Sequence, residues 1–351
     1  MALALAVFVG WIWWNSGKTR KTKLFVNGSV ATNPVSVKPP QPTNEVRPVI
    51  VPPPTARPVA VAPAPWPRPV QDALEAQVAL VRHGISSGSL DGNIGPQTRA
   101  ALTAFQLGQN LQPTGELDAA TKARLLLDAP PVVAYVVTAN DLARLQPTAD
   151  TWLGKSQQTA LDFENITELV AEKSFSHPNL IRRLNPAVNW TNVAVGTVLQ
   201  VPAAAYPASS VRAAFVKIHL GGKTLEAFDA ATNLLAHFPC SIARLYEKRP
   251  VGELHVANLA PNPNYTFDPL VFPESPEARQ LTRKLILPPG PNNPVGVAWI
   301  GLDRPGYGIH GTPNPEQVGR TESHGCFRLA NWNAEYLLRL VTVGTTVYVV
   351  E

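Results

Sequence analysis

Cys326 directly follows Ser323-His324-Gly325, and His310 lies a short loop upstream, in a stretch reading HGTPNPEQVGRTESHGCFR from His310 to Arg328. A cysteine attacks a carbonyl as its thiolate, and a free thiol is only slightly ionised at neutral pH. A catalytic one therefore needs an imidazole or a cation beside it. His310, His324 and Arg328 supply those types, and Gly325 lets the backbone approach closely. The spacing predicts acyl transfer by a cysteine whose pKa is drawn down by its neighbours. A lone Cys-His pair would more simply be a buried cysteine between structural histidines; the length and order of this string outweigh that reading. His83, His177, His219, His237 and His255 are scattered without ligand spacing, so neither a metal nor another cofactor is expected.

The string resembles the active-site signature of the L,D-transpeptidase catalytic domain family (YkuD type). Its parts appear in order as Ile309-His310-Gly311-Thr312, then Ser323-His324-Gly325-Cys326-Phe327-Arg328, then Asn331. Upstream, Pro288 to Gly296 is similar to the family's Pro-Gly-x-Asn-Asn-Pro-Leu-Gly stretch, with Val295 for Leu and Asn293 in place. Arg249-Pro250-Val251-Gly252-Glu253 resembles its Thr-Pro-x-Gly-x segment, with Arg for Thr. The resemblance implies that Cys326 is the nucleophile and His310 its base, oriented by the carbonyl of Gly311. Backbone N–H groups around His324, Gly325 and Cys326 would form an oxyanion hole, and Arg328, Ser323, Asn331 and Asn293 would hold substrate. It further implies attack on the L-centre carbonyl of the diamino acid at stem-peptide position three, loss of D-Ala, and transfer to an amine of a second stem.

Around this segment, strand signals dominate from residue 211 to 351. Val216, Ile218 and Leu220 alternate with Lys217 and His219, and Val347 and Val349 alternate with Thr346 and Tyr348, which predicts a mostly-β sandwich or barrel-like domain. Residues 70–127 read as a three-helix bundle. Val70, Leu74, Val78 and Val81 recur at helical spacing, Asp91-Gly92 makes a turn, Pro96 opens a helix, and Asp118 caps another. Leu90-Asp91-Gly92 through Phe105-Gln106, and its half-repeat Thr114-Gly115-x-Leu117-Asp118-x-x-Thr121, resemble the peptidoglycan-binding-domain-1 family. Mounted on a spacer, this module is expected to fold and bind peptidoglycan without the catalytic domain. Residues 130–202 resemble an α+β LysM module, a glycan-binding βααβ unit. Asn140-Asp141-Leu142 stands where Gly-Asp-Thr is usual, and an insertion runs through Gln157 and Asp162.

The N-terminal part is of another kind. Residues 1–17 carry no charged side chain and include Trp11, Trp13 and Trp14. As a helix they span roughly 25 Å, near the hydrocarbon thickness once the aromatic belt is counted. An inner-membrane anchor is expected over a cleaved signal, because no small-x-small site follows. Basic residues at Lys18 to Lys23 favour a cytoplasmic C-terminal side, against the cell-envelope location that a wall enzyme needs. Residues 18–69 form a linker, with thirteen prolines from Pro34 to Pro69, which is the composition of a polyproline spacer. Eight of the basic residues and only Glu45 of the acidic ones precede Val70, leaving 22 basic and 24 acidic in the remainder. That distribution excludes a nucleic-acid groove. Cys240, the other cysteine, reads as a buried free thiol, since a bridge to Cys326 would silence the nucleophile.

Other readings of the same residues are separable. A sortase places its cysteine after Thr-Leu-x-Thr, and a papain-like peptidase places Cys ahead of His; neither order is present. Water as acceptor would give an L,D-carboxypeptidase. A dead domain would give a non-catalytic wall-anchoring protein, against which Cys326, His310, His324 and Arg328 all stand.

Overall fold

A computed structural model describes residues 66–272, 275–321 and 325–351. The expected anchor and most of the expected proline linker lie outside these, and so do Ser323 and His324. Among the described residues no helix is long and apolar enough to cross a membrane.

The N-terminal module comprises α1 (Ala73–Arg82), α2 (Pro96–Gly108) and α3 (Ala119–Arg124), closed by pairing of β1 (Arg68–Pro69) with β2 (Leu126–Leu127). Asp72 and Asp118 accept from the N–H groups of Glu75 and Thr121 and so start α1 and α3. Each half-motif is closed by a buried glutamine. Gln77 accepts from Gly92 N and donates to Asp91 and Thr98; Gln106 accepts from Gly115 N and donates to Thr114 and Thr121. Each of these glycines has a positive φ, which a β-carbon would strain.

The middle module pairs β3 (Val132–Val136) antiparallel with β4 (Val198–Pro202) and packs α6 (Ile166–Lys173) and α7 (Pro178–Leu184) on them around Leu169, Val170, Ile181 and Leu199. Between β3 and α6 the chain makes an excursion that holds α4 (Ala139–Ala143) and α5 (Trp152–Gln157). Asp141 is buried at the start of α4. It closes a capping box with Thr138 and accepts from Lys173 and Tyr135.

In the C-terminal domain the strands are β5 (Phe215–His219), β6 (Thr224–Phe228), β7 (Leu234–Pro239), β8 (Gly252–Pro261), β11 (Ala298–Leu302), β12 (Gly308–His310), β13 (Phe327–Arg328) and β14 (Thr346–Val350). They form one eight-stranded mixed sheet in the order β13-β12-β11-β8-β14-β5-β6-β7, with β12–β13 and β14–β5 parallel. A separate ribbon pairs β9 (Tyr265–Phe267) with β10 (Leu285–Leu287). Of the two expected forms the domain takes the barrel-like one and not the sandwich, since Ser241, just past β7, exchanges backbone hydrogen bonds with Arg328 of β13. Alternation shows that one face of each strand is buried, but not what covers it. Here the cover is α8 (Asn331–Leu340), whose Ala334, Tyr336, Leu337 and Leu340 pack with Val216, Ile218, Ile300 and Val347.

The modules are not beads on a string. Gly84 and Ser86 exchange backbone hydrogen bonds with His237 on β7 (His237 N to Gly84 O 3.1 Å, Ser86 N to His237 O 2.8 Å). A β-carbon on Gly84 would run into the carbonyl of Leu235. Leu90 and His177 are similarly joined to each other, and Leu180, Phe175 and Tyr206 enter the helical module's apolar cluster. The free-standing module expected from the sequence is therefore fused to its neighbours, because its apolar surface is completed by their side chains.

Candidate active site

His310 sits on β12 between β11 and β13, opposite Trp299 and in register with Arg328. The Trp299 ring stacks on the imidazole at 5.7 Å between centroids and lies across Gly308, where any side chain would collide with it. His310 is buried, and its Nδ1 is 2.6 Å from the carbonyl of Gly311. A carbonyl only accepts, so Nδ1 carries the hydrogen and Nε2 keeps its lone pair. Burial, opposed by the Gly311 carbonyl and assisted by the Arg328 charge, takes the imidazole down to about 4. At neutral pH it is an uncharged base.

Cys326 lies just before β13, with Sγ 3.5 Å from the carbonyl oxygen of Gly306. Burial pushes its thiol above the ordinary value, and a hydrogen bond from Gly308 and the Arg328 charge offset this only in part. The depressed thiol expected from the sequence is thus corrected. The dry setting that makes a good acylation site costs the thiolate more than one guanidinium returns. Arg328 is itself half-buried and lowered by burial, against the pull of Cys326 and Tyr265.

These groups open on a cavity of about 690 Å³ whose lining includes Trp152, Tyr265, Trp299, His310, Cys326 and Arg328. Gly325 also faces it. Tyr265, Trp299 and Trp152 were not singled out in the sequence. Trp299 could have been found as the alternate position of a strand beside the histidine strand. Tyr265 and Trp152 carry no motif.

Two expected substrate contacts are corrected. Asn293 is fully buried; its amide donates to Pro288 O (2.8 Å) and accepts from Val295 N (3.0 Å), shaping its own loop. Asn331 is also buried. Its Oδ1 accepts from Thr312 N (3.0 Å) and Val297 N (3.3 Å), while Nδ2 donates to Pro291 O (3.1 Å) and Glu172 Oε1 (2.9 Å). Asparagine side chains near a motif cysteine suggest ligand contacts, but here four backbone and carboxylate partners saturate Asn331. It holds the segment that follows His310 and ties it to α6 of the middle module. Glu172, raised by burial to about 8, completes that tie. Neither cysteine is in a disulfide, and Cys240 is buried. Among the described residues no group of His, Cys, Asp and Glu could hold a metal ion.

Residues 214–349 match the family profile described as "L,D-transpeptidase catalytic domain", and residues 70–125 match "Putative peptidoglycan binding domain". Among similar curated proteins, "Putative L,D-transpeptidase YkuD" of Bacillus licheniformis is 26% identical over 46% of this chain and 80% of its own length. "Putative L,D-transpeptidase YqjB" of Bacillus subtilis is 36% identical over 29% of this chain and 52% of its own. "Probable L,D-transpeptidase YbiS" of Escherichia coli is 28% identical over 63% of this chain and 72% of its own. A solved L,D-transpeptidase from Xylanimonas cellulosilytica, 16% identical, aligns over 81% of this chain and 98% of that one with a TM-score of 0.34.

Proposed function

We propose that this L,D-transpeptidase acts on peptidoglycan stem peptides through a Cys326 acyl-enzyme at the extracytoplasmic side of the cell envelope. The observation that carries the reading is one cavity holding a thiol, an imidazole pinned in one tautomer, and a half-buried guanidinium. His310 Nε2 takes the proton from Cys326 as sulfur attacks the carbonyl of the diamino acid's L-centre. Because both partners rest uncharged, the ion pair forms only as the bond forms, and no charge is buried beforehand. In this reading backbone N–H groups at Gly325 and Cys326 serve as the oxyanion hole, a contribution of about 3–4 kcal/mol per donor. Arg328 meets the stem's carboxylate, a task that suits a forked donor. His310 then returns the proton to the departing amine, and D-Ala leaves. The incoming amine of a second stem gives up a proton to His310, breaks the thioester and yields a 3-3 cross-link. The peptidoglycan-binding module supports polymeric wall as the substrate.

Mass analysis of disaccharide tetrapeptide incubated with the protein tests this. Cys326→Ala should abolish D-Ala release and dimer formation while the fold persists, since a small thiol contributes little packing. Undiminished turnover in that variant would overturn the reading. The pH profile of kcat/KM should have its acid limb near 4, where the buried imidazole of His310 takes up a proton. A limb at the ordinary histidine value would mean that His310 is not the base.

A further inference from the structure

We propose that Trp152, carried by the excursion of the middle module, is a specificity-determining wall of the catalytic cavity that keeps water from the acyl-enzyme and so favours an amine acceptor. The excursion leaves the β3–β4 core and docks on the catalytic domain at both ends. At one end the carboxylate of Glu277 accepts from the N–H groups of Trp152 (2.8 Å) and Leu153 (2.9 Å) and caps α5 from across the interface. At the other, Leu161 N donates to Pro289 O (2.9 Å) and Leu161 O accepts from Asn292 N (2.9 Å). The carbonyl of Leu161 sits where Gly290 would carry a side chain. Between these clamps the Trp152 ring stacks on Phe267 at 4.3 Å and 14°, beside Phe272, while Leu161 is buried with Phe267, Leu285 and Leu287. The indole is therefore fixed on the wall of the cavity that holds Cys326.

With Tyr265, Val271 and Phe272, the indole makes that wall largely apolar. The thioester has two fates. An amine or a water molecule forms a new C–N or C–O bond, the C–S bond breaks, and one proton passes by way of His310 to sulfur. An apolar approach disfavours free water but not an amine delivered by a stem already bound, so the wall sets the ratio. This rests on the acyl-enzyme reading above.

Two readouts in the full chain separate them. The first is alkylation of Cys326 by a small iodoacetamide and by a bulky maleimide, followed by intact mass on a Cys240→Ser background. Trp152→Ala should raise the bulky-to-small rate ratio about tenfold, and Trp152→Phe should restore it. The second is the share of hydrolysed to cross-linked product from tetrapeptide, which should rise several-fold in Trp152→Ala and return in Trp152→Phe. An unchanged alkylation ratio overturns the proposal, and so does a changed one with an unchanged product share. If the wild-type protein turns over no stem peptide, the acyl-enzyme reading fails on its own, and the alkylation ratio still decides whether Trp152 governs access.

Discussion

The two accessory modules meet the catalytic domain in different ways. The N-terminal module meets β7 through backbone hydrogen bonds of Gly84 and Ser86 with His237, and Gln97 Nε2 donates to Val318 O (2.6 Å) in the loop between His310 and Cys326. The middle module meets loops beside the site, and it does so with side chains: Glu172 on Asn331, Glu168 on Asn292, Trp152 on Phe267. Backbone docking satisfies the ladder groups of β7, and the chain leaving that strand exchanges backbone hydrogen bonds with Arg328 through Ser241. Side-chain docking on the segment after His310 shares partners with the catalytic machinery. What a contact is made of thus separates a module held mainly by a strand's backbone from one held by side chains beside the site.

The contrast can be broken at both ends. Asn331→Ala should have the largest effect, lowering kcat/KM about a hundredfold, since releasing the backbone after His310 by even an ångström misplaces the base. It should also cost about 2–4 kcal/mol in urea unfolding, because several buried partners lose their bond. Intact turnover would mean that the tie between modules is ornamental to the chemistry. Glu172→Gln should act mainly through pH. Burial raises the Glu172 carboxyl to about 8, so the folded protein keeps a proton that the unfolded chain releases at ordinary carboxylate values. Its contribution is complete below that ordinary value and is lost as pH rises through about 8. The glutamine variant should therefore lose less stability than wild type between pH 6 and 9; parallel curves would assign the drift to another group. Gly84→Val should do least to the chemistry. The strained φ of +82° and the clash with Leu235 should lower the thermal midpoint by several degrees. The kcat of the folded fraction should stay within about twofold, because Gly84 and the backbone of Leu235 and Ala236 that it faces line no part of the cavity. A tenfold fall in kcat would erase the distinction between the modules.

Sequence carried the parts whose signal is local. Asp72 and Asp118 cap helices where their types and positions require, and the half-motifs around Gly92 and Gly115 are turns. His310 and Cys326 were legible because backbone approach and proton transfer restrict residue types at close spacing, and they line one cavity. What was not legible depends on distant partners. Asn331 and Asn293 are polar residues within the signature, and only the fold reveals that loops rather than ligand saturate them. The thiol's raised pKa follows from burial, which no spacing encodes. Trp152 lies in what the sequence marks only as an insertion, and its placement depends on Glu277, more than a hundred residues downstream.

The corner where Gly296, Gly311 and Asn331 meet carries a consequence for how the chain can evolve. A β-carbon at either glycine would strike the side-chain oxygen of Asn331, and Gly296 also holds a positive φ. A smaller residue at 331 would make room for alanine at 311 but would abandon the amide groups of Thr312 and Val297. Each single step is thus uphill, whichever is taken first. Lineages can drift freely around this corner while the three positions stay frozen as a set, and a randomised library should recover changes there only in combination.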